Sequence, residues 1–122
     1  MKESFSVDPL FPDCPIRNVL ARFNGKWPLV VIYTLGRSDK PMRFKDIAAA
    51  NPDISEKMLA QTLRGLEADD IVVRKESRTP QLRVEYALSP RGESLKPIVF
   101  DLIGWAYNNM SGILSSRERY YR

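Results

Sequence analysis

Between Asp53 and Glu67 the apolar positions repeat with a helical period. Leu59, Leu63 and Leu66 fall at i, i+4 and i+7 and form one stripe. Ser55 before them is an N-cap, able to take an orphan N–H of the first turn, and Ile54 and Leu59 are spaced as a hydrophobic staple. At about 100° per residue, Lys57, Gln61 and Arg64 project from the side opposite the stripe. Upstream, Ile16, Val19, Leu20 and Phe23 predict a short amphipathic helix from Pro15 that ends at Gly25. Trp27 opens a second helix, apolar nearly all round through Leu35 and therefore buried. Phe44, Ile47 and Ala48 mark a third helix over 44–50, broken by Asn51-Pro52-Asp53.

Downstream the period changes from helical to alternating. Residues 71–76 and 83–88 are β-prone, with Val84, Tyr86 and Leu88 alternating with polar or small residues. The intervening Ser77–Leu82 makes a hairpin tip. Ser89-Pro90 then reads as the cap and first residue of a helix in which Leu95, Ile98, Val99, Leu102, Ile103 and Ala106 keep the i, i+3, i+4 pattern, with Trp105 and Met110 beyond. Pro97 is expected to kink that helix or to mark its true start. The expected domain spans 14–110, preceded by an irregular arm over 1–13 and followed by a tail over 111–122 that forms a further short helix.

A short helix, a tight turn and a capped helix with a polar outer stripe make a helix-turn-helix, and a hairpin directly after it is a wing. The fold class is mainly α with one small β-hairpin. Long nitrogen donors on an exposed helix face suit base edges and phosphates in a major groove, although the same spacing describes an ordinary solvated face. Charge distribution adds to the first reading. The net charge is +4 over 122 residues. Arg37, Lys40, Arg43 and Lys45 against Asp39 give +3, and Arg74, Lys75, Arg78 and Arg83 against Glu76 give +3 again. These two basic segments flank the donor-bearing helix, as a footprint that tracks phosphates requires.

Enzyme chemistry finds no support. The chain has no histidine and one cysteine, Cys14, hence no conventional triad, no histidine-based metal site and no intrachain disulfide. Neither phosphate-binding glycine motif occurs. No cofactor or metal is expected. No apolar run approaches a membrane span, and no apolar leader follows the first residues, so a cytoplasmic location is expected.

Cys14-Pro15, Gly25-Lys26-Trp27, Arg43-Phe44, Ile54-Ser55-x-Lys57-Met58-Leu59-x-Gln61-x-Leu63-Arg64, Arg83-Val84-Glu85-Tyr86 with Leu88 and Gly92, and Trp105 occur in that order. Together they resemble the HxlR-type branch of winged helix-turn-helix, MarR-like transcriptional regulators, over most of the chain. Three departures stand out. Asn51-Pro52-Asp53 stands where the family usually has a glycine-containing turn. Gly65 and Asp70 stand where glutamate and glycine are usual. The tip keeps Pro80 without the fuller proline run.

The resemblance implies a bacterial homodimeric regulator, repressor or activator, on double-stranded DNA. The recognition helix would lie in the major groove, the wing on flanking backbone or minor groove, and the terminal helices would pair two subunits. Some members respond to electrophiles through an N-terminal cysteine.

The expected DNA contacts are Arg43, Lys45, Ser55, Lys57, Gln61, Arg64, Lys75, Arg78 and Arg83. Gln61 suits adenine, Arg64 or Lys57 suits guanine, and Arg43 and Lys45 suit phosphates. Ser55 is chiefly a cap, and Lys75 equally fits a solvated hairpin edge that deters strand pairing. Ile16, Val19, Leu20, Leu95, Leu102 and Trp105 are the expected dimer seam, Trp105 being alternatively core. Cys14 is a candidate sensor of an electrophile or oxidant, beside the alternative of a small buried hydrophobe. Three partners follow: a pseudo-palindromic operator, a second copy of the chain, and a small-molecule or electrophile effector. The rival from another class is a winged-helix protein–protein adaptor without an operator, which would more often present apolar anchors than a row of donors.

Overall fold

The computed structural model describes residues 13–23 and 25–122; the predicted arm lies, except for Asp13, outside them. The elements are α1 (Pro15–Leu20), α2 (Trp27–Arg37), α3 (Phe44–Ala50), α4 (Glu56–Ala68), β1 (Val72–Ser77), β2 (Arg83–Leu88) and α5 (Pro90–Tyr121). The first helix is shorter than its pattern suggested, because Ala21–Phe23 tighten into a 3-10 turn.

The core gathers on α2. Val31, Ile32 and Leu35 meet Ile47 of α3, the Leu59, Leu63 and Leu66 stripe of α4, and Ile71, Val72, Leu88 and Val99. Ile32, Ile47 and Leu59 are fully buried. Each such side chain contributes about 1.5–3 kcal/mol by leaving water, so the period read along 59–66 is what seats α4 on the core.

The turn before α4 works without glycine because Asn51 anchors it. Its Nδ2 donates to Thr34 Oγ1 on α2 at 3.0 Å and to the Ile47 carbonyl at 3.1 Å. The Thr34 hydroxyl in turn donates to the Val30 carbonyl at 2.9 Å. The angle between α3 and α4 is therefore tied to the most buried helix by a side-chain amide. Ser55 caps α4, its Oγ accepting from the Met58 N–H at 3.0 Å, and Ile54 is buried beside Leu59 as the staple requires.

The far end of α4 closes in a Schellman arrangement. The Ile71 N–H donates to the Leu66 carbonyl at 2.9 Å and the Asp70 N–H to the Glu67 carbonyl at 3.0 Å. Asp70 sits there at φ 58°, in the left-handed region. That conformation explains why glycine is usual at this position and why aspartate, which tolerates it, can replace it.

β1 and β2 pair antiparallel with Val72 opposite Leu88 and Ser77 opposite Arg83. The pair does not stand alone. Met42 bridges to Tyr86, each N–H donating to the other's carbonyl, at 2.9 and 2.7 Å. The wing is thereby stitched to the segment leading into α3.

α5 departs from the expected pattern in two ways. Ser89 caps it as predicted, Oγ accepting from the Gly92 N–H at 3.0 Å. Pro97, however, neither starts nor ends it. Pro97 is exposed, so the carbonyl it leaves without a partner one turn back can bond to water. Residues 111–121 are not a separate short helix either. They continue α5 to Tyr121 in one run of 32 residues, since Gly112 alone costs only about 1 kcal/mol and no cap or proline stops the helix.

Candidate nucleic-acid interface

The interface is built outward from α4. Because Leu59, Leu63 and Leu66 are drawn inward, Lys57, Gln61 and Arg64 are turned to solvent, and all three are exposed. Among the described residues none of the three has an ion pair or a side-chain hydrogen bond, so their donors are available to a ligand. Met58 and Gly65 lie on one flank of this row. A groove of roughly 340 Å³, lined by Arg22, Trp27, Met58, Gln61 and Gly65, keeps that edge of the helix uncovered.

The predicted basic neighbours fall into two groups. Arg43 is half-buried at the N-cap of α3, where its backbone N–H donates to Asp46 Oδ2 at 3.1 Å, while Lys45 is exposed on the first turn. Tyr86 is the partner of both Met42 and Arg74. Arg43 therefore lies beside the base of the wing, and the two basic segments that flank α4 in sequence meet in space.

On the wing, Lys75 and Arg83 are exposed. Arg78 at the tip is exposed too, but it is ion-paired with Glu76, and Arg74 Nη1 lies 3.0 Å from the other oxygen of the same carboxylate. The hydrogen bond to Glu76, and secondly one to Tyr86, hold the Arg74 guanidinium further above its usual range, firmly in the charged form. Sequence reasoning counted Glu76 only as one charge subtracted from a basic segment. Its double engagement depends on side-chain placement that no spacing reveals. Ser55 is confirmed as a cap.

The residues expected at the subunit seam present an apolar surface. Ile16, Leu20, Leu102 and Trp105 are between 52 % and 70 % exposed, Val19 is exposed with them, and so is Ile98, which is not among the expected seam residues. Trp105 is thus not core, whereas Leu95 is half-buried against it. Cys14 is half-buried at the N-cap of α1 and makes no side-chain cap bond. Among the described residues no helix is long and apolar enough to cross a membrane, and no acidic or cysteine cluster is fit to hold a metal.

A capped helix with an outward row of donors, held on a helix-turn-helix core with a basic hairpin beside it, defines a DNA-binding regulator of transcription. The chain belongs to the HxlR-like helix-turn-helix family, whose model matches residues 23–113. It is 37 % identical to the HTH-type transcriptional regulator YdzF of Bacillus subtilis, over 75 % of this chain and 83 % of that protein. The solved transcriptional regulator ytfH from Salmonella typhimurium shares 33 % identity and superposes with a TM-score of 0.74, covering 93 % of this chain and 99 % of that one. The redox regulator HypR in its reduced form is 33 % identical with a TM-score of 0.76, over 84 % of this chain and 99 % of that one. HypR in its oxidised form matches with a TM-score of 0.71, at 35 % identity and over 79 % of this chain and 97 % of that one.

Proposed function

We propose that the protein acts in the cytoplasm as a homodimer on a pseudo-palindromic operator, each subunit laying Ser55–Glu67 in a major groove. The observation that carries this reading is the row Lys57, Gln61 and Arg64, exposed and, among the described residues, without side-chain partners on a helix otherwise anchored by three buried leucines. Gln61 and Arg64 read base edges, Lys57 reads a base or a phosphate, and the Ser55 end of the helix receives a phosphate. Arg43, Lys45, Lys75, Arg78 and Arg83 hold the backbone and set the register.

The exposed apolar side chains of α1 and α5 support pairing, since a surface of this kind in a monomer marks an interface. Selection of bound fragments from a random DNA pool tests the whole reading. The expected product is an inverted repeat whose half-sites lie roughly 34 Å, one turn, or a multiple of it apart. Sedimentation of the free protein should give the mass of two chains. Recovery of no preferred sequence, with binding that is weak and purely salt-dependent, would favour the adaptor.

The Cys14 thiol is the proposed effector site, responding to an electrophile or oxidant. Two observations support it: the thiol is half-buried rather than sealed in the core, and the similar regulator HypR is known in reduced and oxidised forms. Diamide or a quinone should shift operator retardation of the wild type and leave Cys14→Ser unaffected. Equal responses of the two proteins would end the idea.

A further inference from the structure

We propose that Glu76 occupies, between the two wing arginines, the place that a DNA phosphate takes in the complex, and thereby limits how tightly the wing grips any duplex. This rests on the wing being a DNA contact. Both carboxylate oxygens of Glu76 are engaged, one with Arg74 Nη1 at 3.0 Å and the other with Arg78 Nη2. Carboxylate and phosphate are the two anions that a guanidinium fork fits, so one can stand in for the other. The Glu76 side chain is 28 % exposed against 77 % for Arg78. Arg74 is 40 % exposed, so both guanidiniums are more accessible than the carboxylate they share.

The hairpin register puts this cluster on one face. Arg74 stands opposite Tyr86 and Glu76 opposite Val84, while Lys75 and Glu85 pair across the other face. When the wing meets a duplex, each guanidinium that turns to a phosphate leaves Glu76, and the carboxylate left behind repels the same phosphate. The exchange itself is easy, because exposed ion pairs hold weakly. What persists in the complex is a negative charge within a Debye length of the backbone, which weakens binding alike on every sequence.

The test is an anisotropy titration of the full chain on its selected operator and on a random duplex, between 50 and 200 mM salt. Glu76→Gln keeps the shape and removes the charge. It should tighten both complexes about three- to tenfold at the lower salt and steepen the salt slope by about one. Glu118→Gln makes the same change of net charge near the C-terminal end of α5, where its partner is Arg122, and should move affinity far less. Arg78→Ala should cost more affinity in the Glu76→Gln background than in the wild type, because only there is Arg78 unengaged beforehand. Coincidence of Glu76→Gln with the wild type, or an equal gain from Glu118→Gln, overturns the role of Glu76 while DNA binding by the wing stands. A wild type that binds neither duplex overturns the DNA reading of the wing and this inference with it.

Discussion

Alanine at Arg64 or Gln61 should erase discrimination at one operator base pair while leaving the fold intact. Both side chains are exposed on α4 and contribute nothing to its seating on α2, so the melting temperature should stay near that of the wild type. A bidentate pair to guanine from Arg64, or to adenine from Gln61, is worth about 1–3 kcal/mol against the wrong base, or roughly 5- to 150-fold in affinity ratio. Repeating the fragment selection with each variant should return a site degenerate at one position per half-site, at a different position for each. Arg64→Ala also removes a charge and should flatten the salt slope slightly, whereas Gln61→Ala should not. Unchanged preference and affinity in both variants would mean that α4 is not the reading helix.

Gly92→Ala is expected to have the largest effect on stability. A Cβ at Gly92 would stand 2.2 Å from the Ile71 carbonyl oxygen, with Leu88 side-chain carbons at 3.1 Å. The obstruction is backbone, in the same turn that closes α4 and is gripped by Ser89, whose hydroxyl donates to the Asp70 carbonyl at 2.6 Å. That turn cannot give way without moving the end of the recognition helix. Overpacking of this kind costs about 1–3 kcal/mol and sometimes more, enough to lower the melting temperature by several degrees or more in a domain of this size. Gly65→Ala is the opposite case. It lies mid-helix in α4 with nothing within 4 Å of a new Cβ, and alanine there should gain up to about 1 kcal/mol. Denaturant melts of the two variants should therefore move in opposite directions. A Gly92→Ala protein as stable as the wild type would show that α5 does not approach the α4–β1 turn so closely.

The C-terminal half of the molecule shows where local pattern loses its grip. Ser89-Pro90 located the start of α5 because a cap and a proline act within one turn. The helix runs past its expected end because a proline on an exposed face and isolated glycines are weak stops, outweighed when the rest of the segment favours helix. The turn before α4 is the converse. Asn51-Pro52-Asp53 is legible as a break, but the reason it holds its angle lies in the hydrogen bond that the Asn51 side-chain amide donates to the Thr34 hydroxyl, seventeen residues away. A partner so distant in sequence leaves no periodic trace.

What the chain's order of residues determined by itself was the helix-turn-helix, the wing and the outward row Lys57, Gln61 and Arg64. Each follows from short-range rules: a stripe at a period of 3.6, a cap, a break and two alternating strands. Three things were decided only in three dimensions. Met42 joins the wing through Tyr86 and brings Arg43 beside it. Glu76 draws Arg74 and Arg78 together. Of the two roles open to Trp105, the packing of the core leaves it on the surface, beside Ile16, Leu20 and Leu102. These depend on which side chains come together after the chain has folded back on itself, and hydrophobic periodicity constrains faces, not partners.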